Sequence, residues 1–522
     1  MSVLSVHELN VCFDNGVRLF SDLSFSLEHP VTALIGRNGV GKSVLVEVLT
    51  GRKKATSGNV VNTLHIGYFS QHLNTDWQQS IARFLGVDDT LAALAAIQSG
   101  NYEQQHFDVI GEQWQLQEKL ENELSRSGLP ANVQLPLGHL SGGQLAKLRL
   151  HALFCANYEL LILDEPSNHL DGEGRAWLLE KIATYAGQIL IVSHDQKLLE
   201  HVDCILELTS LCINQYSGSY SQFKTYKSMQ LKALESQQAN LKQAIKQQAL
   251  KIERNAQKAQ KRATQGKKKI GSQAKILLNA QKESAGQNQK SQRILNERKH
   301  SQLTQEHNAV REKIEVKKAQ QLHFNKVHAI SHGTALILDN VRIPFVKRAP
   351  LSMLITAKCK ARLHGSNGSG KSTLLKLIAG ELTAISGSIH CNSDMVYLDQ
   401  HCSWLNHCDT PLIAKELTFS TLSDSEWRTA LAGIGLRGDK ALQAITHLSG
   451  GERMKLALLV VTQRPNAPLL LLDEPDNHLD LEAQHYISEA LFEYGGAFIL
   501  VSHDEYFCTS CGVEKTIYLT AG

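Results

Sequence analysis

A set of short motifs occurs twice in this 522-residue chain, in the same order, and no other feature constrains the fold as strongly. Gly36-Arg-Asn38-Gly39-Val-Gly41-Lys42-Ser43 returns as Gly365-Ser-Asn367-Gly368-Ser-Gly370-Lys371-Ser372-Thr373. Leu140-Ser141-Gly142-Gly143-Gln144 returns as Leu448-Ser449-Gly450-Gly451-Glu452, Asp164-Glu165-Pro166 as Asp473-Glu474-Pro475, and Ser193-His194-Asp195 as Ser502-His503-Asp504. The offset is about 329 positions from Lys42 to Lys371 and from Gln71 to Gln400, then about 308 or 309 from Ser141, Asp164 and His194 onward. The halves are therefore collinear except for about 21 extra residues in the first, between Gln71 and Ser141. That surplus is placed in the polar helical stretch Ala92–Leu124, as an ordinary surface insertion or a small contact arm.

Each repeated element has a physical reading. Val31–Ile35 is a short apolar run, and Val44–Leu49 after Ser43 reads as a helix. Strand, Gly-rich loop and helix is the context of a phosphate-binding loop, in which backbone N–H groups and the helix N-terminus face an anion. Lys42 and Lys371 would reach the β- and γ-phosphates, and Ser43 and Ser372 would ligate Mg²⁺. Leu160–Leu163 and Leu469–Leu472 are buried strands that each end in two carboxylates. Asp164 and Asp473 suit the Mg²⁺ shell, and Glu165 and Glu474 suit orientation and deprotonation of an attacking water. A lone His at a strand end is usually structural, but His194 and His503 recur at matched positions and are read as γ-phosphate contacts.

Ser141, Gly142 and Gly143, like Ser449, Gly450 and Gly451, stand before helical stretches and form a second anion-binding device in each half. Two phosphate cradles in one half make sense if the second closes on a nucleotide held by the other half.

Between the halves lies a run of different character. Residues 224–325 contain no Pro and hold roughly 23 Lys+Arg against roughly 7 Asp+Glu, about +16. Formal net charge is only +3, so the remainder carries about −13. Leu231, Leu234, Gln238, Leu241, Ile245, Gln248 and Ile252 follow a heptad pattern, as do Leu303, His307, Val310, Ile314, Lys317, Gln321 and Phe324. The expectation is an antiparallel helical hairpin with a basic tip within 263–290. Lys261, Arg262, Lys267, Lys268, Lys269 and Lys275 are the candidate phosphate contacts, and the absence of tip aromatics favours RNA shape and backbone over base readout. A plain spacer pair of helices would show the same heptads with mixed charge signs.

No apolar run approaches the roughly 18 residues of a membrane span, and Met1–Asn10 has no signal-peptide pattern. The 10 Cys are scattered, and ordinary reduced thiols in a cytosolic chain are expected. His401, Cys402, His407 and Cys408, with Cys508 and Cys511, carry metal-ligating types, but their spacing matches no compact zinc finger.

The motif set, twice over, resembles the ATP-binding cassettes. Asn168-His-Leu-Asp171 and Asn477-His-Leu-Asp480, with a charged helical linker, resemble the ABC-F family more narrowly. The likeness covers nearly the whole chain. It implies an α/β protein of two tandem P-loop ABC ATPase cassettes joined by an antiparallel α-helical hairpin linker. The expected domains are 1–223, with a helical insertion at about 90–125, then 224–325, then 326–522. The resemblance implies cassettes closing within one monomer on two ATP molecules, so that Lys42 works with Ser449 and Lys371 with Ser141. Gly36, Asn38, Gly39 and Gly41 join Lys42 and Ser43 around one ATP; Gly365, Asn367, Gly368, Gly370, Ser372 and Thr373 join Lys371 around the other. Gln71 and Gln400 complete the Mg²⁺ sets, and Phe13 stacks on adenine.

For the whole protein the resemblance implies ATP hydrolysis in the cytoplasm and ATP-gated binding to the ribosome, with the linker reaching rRNA and tRNA. General translation, rescue of stalled ribosomes and protection from an antibiotic all fit that reading. A twin-cassette subunit of a membrane transporter and a DNA-acting ATPase are the rival classes. This chain departs from the family at Ser167 and Asp476, where Thr is usual, and at Glu452 in place of Gln. Phe345, the nearest aromatic in the second half, does not share the Phe13 offset, and the sequence after His503 is expected to hold no further coiled coil.

Overall fold

The computed structural model describes residues 4–12, 18–70, 76–168, 170–209, 212–268, 294–311, 333–345, 349–400, 402–419, 422–477 and 479–519, without the side chains of 259, 260 and 262–268. The chain forms two compact units: 1–223 with 322–522, and 224–321.

In the first unit each half has two sheets. In the first half β1 (Leu4–Cys12) lies between β2 (Arg18–Leu27) and β4 (Ser57–Val61), all antiparallel. The second sheet has the order β5 (Ile66–Phe69), β6 (Leu160–Asp164), β7 (Gln188–Val192), β3 (Val31–Ile35), β8 (Cys204–Leu208) and β9 (Ile213–Ser217). Its strands are parallel except for the edge strand β9.

The second half repeats the plan. β10 (Thr334–Arg342) pairs with β11 (Leu351–Thr356) and β13 (Ser386–Cys391). β14 (Met395–Leu398), β15 (Leu469–Asp473), β16 (Phe498–Val501), β12 (Lys360–His364) and β17 (Lys515–Tyr518) form the parallel sheet in that order.

The continuous apolar runs of β6 and β15 reflect a sheet covered on both faces. Leu160 and Ile162 point into a core with Leu4, Phe20, Leu45 and Val46, while Leu161 and Leu163 point into another with Leu150, Leu178 and Ile182. In β15, Leu469 and Leu471 pack with Leu374 and Leu375, and Leu470 and Leu472 with Leu456 and Ile487. Burying each such side chain contributes about 1.5–3 kcal/mol, which fixes the register of the strands whose ends carry the carboxylates.

Helices Asp88–Gln98, Gln104–Ile110 and Leu116–Arg126 occupy the stretch where the halves differ in length. Its exposed face is polar, but Leu91, Leu94, Ile110, Leu120 and Leu124 build a core of their own with Ile81, Leu137 and Leu148.

The linker unit is a helical hairpin: helix Tyr220–Lys268, 49 residues long, runs into it, and residues 294–311 form its second helix. Leu231, Leu234, Gln238, Leu241, Ile245 and Ile252 are half-buried, and Gln248 is buried and donates to Asn296 Oδ1 at 3.1 Å. Leu303 and His307 are half-buried and Val310 is buried, so both seams face inward where they are described. Ile314, Lys317, Gln321, Phe324, Lys269, Lys275 and most of 263–290 lie outside the described residues. Arg262, Lys267 and Lys268 are helical in backbone, and Lys261 is exposed.

Candidate active sites

Each glycine-rich loop leaves the carboxyl end of a central parallel strand, β3 or β12, and enters a helix, Lys42–Leu49 or Lys371–Ile378. Gly41 and Gly370 cap these helices in the left-handed region, with φ of 103° and 89°. A Cβ on Gly41 would lie 2.6 Å from the Phe20 ring, and one on Gly36 would lie 2.5 Å from the Leu208 carbonyl oxygen. Gly39 and Gly368, by contrast, face open space.

Lys42 Nζ folds over its loop and donates to the carbonyls of Gly36 at 2.7 Å and Arg37 at 3.2 Å. Lys371 does the same with Gly365 at 2.8 Å and Ser366 at 3.0 Å. Burial lowers the pKa of both amines, and neighbouring carboxylates oppose it: Glu165 foremost for Lys42, and Glu474 for Lys371. A phosphate arriving in the cradle would meet an ammonium already held in place.

The strand-end carboxylates are matched in detail. Glu165 and Glu474 both have φ of 50°, rare for a residue with a side chain. The N–H of Glu165 donates to Val192 O at 2.8 Å and that of Glu474 to Val501 O at 2.9 Å. The sheet thus holds both in the same strained turn, as functional positions often are. Burial pushes the Glu165 carboxyl up to about 8, against the pull of Lys42 and with Asp164 adding to the rise. Glu474 is held by Gln400, whose amide donates at 2.7 Å, and by the Asn477 amide.

Ser372 Oγ donates to Asp473 Oδ1 at 3.1 Å, and Tyr397 OH donates to Asp473 Oδ2 at 3.0 Å. Burial raises the pKa of Asp473, and these two bonds oppose the rise. A hydroxyl, a carboxylate and the side-chain oxygen of Gln400 are hard donors that suit Mg²⁺. Tyr397 was not singled out in the sequence, although Tyr68 repeats it at the offset shared by Gln71 and Gln400. Ser43 is exposed and Asp164 is buried, while Gln71 and Phe13 lie outside the described residues. Phe345 is 92% exposed, with φ of 65°.

His194 and His503 follow β7 and β16, with Nε2 at 3.7 Å from Glu165 Oε1 and 3.9 Å from Glu474 Oε1. Both ring nitrogens of each are buried without a hydrogen-bond partner in the protein. Burial, then the adjacent lysine, pushes each imidazole down to about 3, so both are neutral and each has one N–H to offer. Two buried polar groups left unsatisfied at matched positions fit a ligand that supplies acceptor oxygens, as the γ-phosphate of ATP does.

Ser141 and Ser449 begin helices Gly142–Cys155 and Gly450–Thr462, and each closes a capping box with Gln144 or Glu452. Ser449 Oγ also donates to Glu452 Oε2 at 3.0 Å, and Lys440 pairs with the same carboxylate at 2.5 Å. A Cβ on Gly142 or Gly450 would meet nothing within 4 Å.

The halves meet through these loops. Arg37 Nε lies 2.7 Å from Glu482 Oε2, and the N–H of Asn38 donates to Asp480 Oδ2 at 2.9 Å. Burial disfavours the Asp480 charge, but the N–H groups of Asn38 and Ala483, with the Lys455 ammonium, hold its pKa below the usual range. Lys455, on the helix after Ser449, is lowered first by burial and is close enough to Arg37 to feel its charge. On the other diagonal Ser366 stands where Arg37 does. There an open cleft of about 340 Å³ is lined by Asp171, Glu173, Gly365, Ser366 and His503.

Cys402, Cys408, Cys508 and Cys511 are buried in the core of the second half, and burial raises all four. Among the described residues no group of His, Cys, Asp and Glu is arranged to hold a metal ion by itself. His401 lies outside them.

The family model described as ABC transporter matches residues 20–168 and 349–477. The Escherichia coli K12 probable ATP-binding protein YheS is 30% identical over 95% of this chain and 76% of its own length. The Bacillus subtilis putative ATP-binding protein YdiF is 30% identical over 97% and 78%. The Mycobacterium tuberculosis energy-dependent translational throttle protein EttA is 27% identical over 91% and 84%. A solved structure of the archaeal ribosome recycling factor aABCE1 with the ribosomal stalk protein aP1 shares the fold, at a TM-score of 0.52 and 17% identity over 98% of this chain and 87% of that one. Two matched cassettes, paired phosphate loops and relatives along nearly the whole length leave one assignment: the chain belongs to the ATP-binding-cassette family, as a tandem-cassette ATPase of the ABC-F group.

Proposed function

We propose that this ATPase is a nucleotide-gated clamp that binds the ribosome and modulates translation, acting in the cytoplasm as a monomer. The observation that carries the reading is the pairing of a catalytic face with a basic arm in one chain. The loop after β3 touches the other cassette through Arg37–Glu482 and Asn38–Asp480, while about +16 of charge is concentrated in 224–325. A relative over most of the length bears the name translational throttle.

The working division is a first cassette at 1–223, a linker at 224–325 and a second cassette at 326–522. One ATP is cradled by Gly36–Ser43 and closed by Ser449, Gly450 and Gly451; the other is cradled by Gly365–Thr373 and closed by Ser141, Gly142 and Gly143. Glu165 and Glu474 take the proton of the attacking water, and neutral His194 and His503 donate to the terminal phosphate. Ser43, Gln71 and Asp164, and Ser372, Gln400 and Asp473, would hold Mg²⁺, which neutralises phosphate charge when bound. Binding closes the cassettes and hydrolysis lets them part. Lys261, Arg262, Lys267, Lys268, Lys269 and Lys275 contact RNA phosphates.

The Glu165→Gln/Glu474→Gln double variant tests this reading in a sucrose gradient of cell extract. It should migrate with ribosomes when ATP is present and stay at the top without it. Migration with membranes, or retention on duplex DNA in preference to ribosomes, would overturn the ribosome assignment.

A further inference from the structure

One cavity runs across the cassette interface and is lined by groups from both sites. Glu165, His194, Asp195 and Arg175 of the first cassette share it with Asp476, Asn477 and Asp504 of the second. Asp195 directly follows His194, and Asp504 directly follows His503. The backbone segments that carry the two histidines therefore approach one another here.

Arg175 is the cation of this cavity. Its Nη1 lies 2.9 Å from Asp195 Oδ2, with the two side chains 13% and 5% exposed. Its Nε donates to Leu170 O at 3.3 Å, which fixes the guanidinium to its own cassette. Across the interface its charge bears on three groups of the other cassette. It opposes the burial that pushes Asp476 up to about 7, it opposes the burial that raises Asp504, and it helps to lower His503. Asp504 and Asp195 also repel one another through the same space. Asp476 accepts from Ser502 Oγ at 2.9 Å, and its other oxygen is buried without a hydrogen-bond partner.

The repeat shows that this arrangement is one-sided. Gln484 occupies the position of Arg175 in the second cassette, and Ser167 occupies that of Asp476 in the first. A cation on one side is thus matched by an added carboxylate on the other, and the opposite diagonal carries two neutral residues. Asp195 and Asp504 are present on both sides. Without Arg175, Asp195, Asp476 and Asp504 would confront one another in a poorly hydrated space, where like charges repel strongly.

We propose that Arg175 is a positioning residue that ties the His194 and His503 segments together across the cassette interface, so that a nucleotide trapped at one site holds back turnover at the other. The proposal rests on Glu165 and Glu474 each serving one ATP site. Arg175 touches neither nucleotide in this account; it acts through Asp195, Asp504 and Asp476.

The test is a set of ATPase measurements on the full chain. Glu165→Gln and Glu474→Gln are each measured alone and with Arg175→Gln, a substitution that copies Gln484. With Arg175 present, either Glu variant should fall to under about a tenth of the wild-type rate, because the trapped site blocks its neighbour. With Arg175→Gln, either Glu variant should return to about half the rate of Arg175→Gln alone, as independent sites require. Arg175→Lys should restore the block, and Asp476→Ser should relieve it from the opposite side. Rates that stay equally low with and without Arg175→Gln would overturn the coupling role, as would half-rates already seen with Arg175 present. If neither Glu variant lowers the rate, the assignment of the two sites is what fails. Thermal melting of Arg175→Gln and Asp476→Ser shows whether each remains folded.

Discussion

Arg37 and Glu482 face one another at 2.7 Å, joining the phosphate loop of the first cassette to the helix Leu481–Glu493 of the second. Both side chains are about half exposed, which limits the strength of the pair. Arg37→Ser, which copies Ser366, should cost less than about 1 kcal/mol of stability. Its effect should appear in ATP affinity at low salt and shrink at about 1 M salt, where charges are screened within about 3 Å. Titration of the variant with a fluorescent ATP analogue at two salt concentrations checks this.

Gly41 and Gly39 give a paired test of the loop. A methyl group at Gly41 needs both φ of 103° and a Cβ inside the Phe20 ring contact at 2.6 Å. At Gly39 it needs only φ of 79° in open space. Gly41→Ala should lose at least about 2 kcal/mol, and Gly39→Ala about 1 kcal/mol, by urea denaturation. Only the first should abolish nucleotide binding.

Glu165 is protonated below about 8 in the free protein, because burial outweighs the nearby Lys42. A base must be ionised to accept a proton, so activity that uses it rises as pH passes upward through that value. In the Glu474→Gln/Arg175→Gln variant, where the first site turns over independently, kcat/KM for ATP should therefore increase between about pH 7 and pH 9. A flat profile in that window would remove Glu165 as the base.

His503 has the opposite linkage. Its folded value is depressed to about 3 from the ordinary 6.5. The stability tied to keeping it neutral is full above about 6.5 and is lost as pH falls through about 3. The difference in melting temperature between the wild type and His503→Gln should shrink as pH is lowered from 7 to 4. A difference that grows on acidification would contradict a buried neutral imidazole.

Contacts of the basic linker with RNA phosphates would release counterions. Lys267→Ala/Lys268→Ala/Lys269→Ala should weaken ribosome binding and reduce the slope of log affinity against log salt by roughly 2–3. Filter binding across salt concentrations measures that slope.

The paired motifs were legible because their chemistry is local. A glycine loop, two carboxylates after an apolar run and a histidine after another announce themselves within a few residues. The repeat then told which single residues to believe, as with His194 and His503. Charged residues whose partners are distant in the chain gave no such signal. Arg175 sits in the first turn of helix Gly172–Thr184 and reads locally as a solvated side chain, yet its carboxylate partner Asp195 follows strand β7, and its charge is felt by Asp476 and Asp504 of the other cassette. Asp476 looked like a minor departure from a family pattern until Ser502 and the Arg175 charge were seen around it. Leu91, Leu94, Leu120 and Leu124 were hidden in a stretch of mostly polar composition, where only packing shows that the helices share a core.

Helix Tyr220–Lys268 begins on an aromatic cluster, with Tyr216 and Phe223 rings 5.0 Å apart and Tyr220 and Phe223 rings 6.0 Å apart. At 1.5 Å per residue its 49 residues extend about 73 Å. Such a rod multiplies angle into distance. A tilt of about 5° at the aromatic root sweeps the far end through roughly 6 Å. A small change of angle at the base is therefore enough to displace the remote end of the helix by several ångströms.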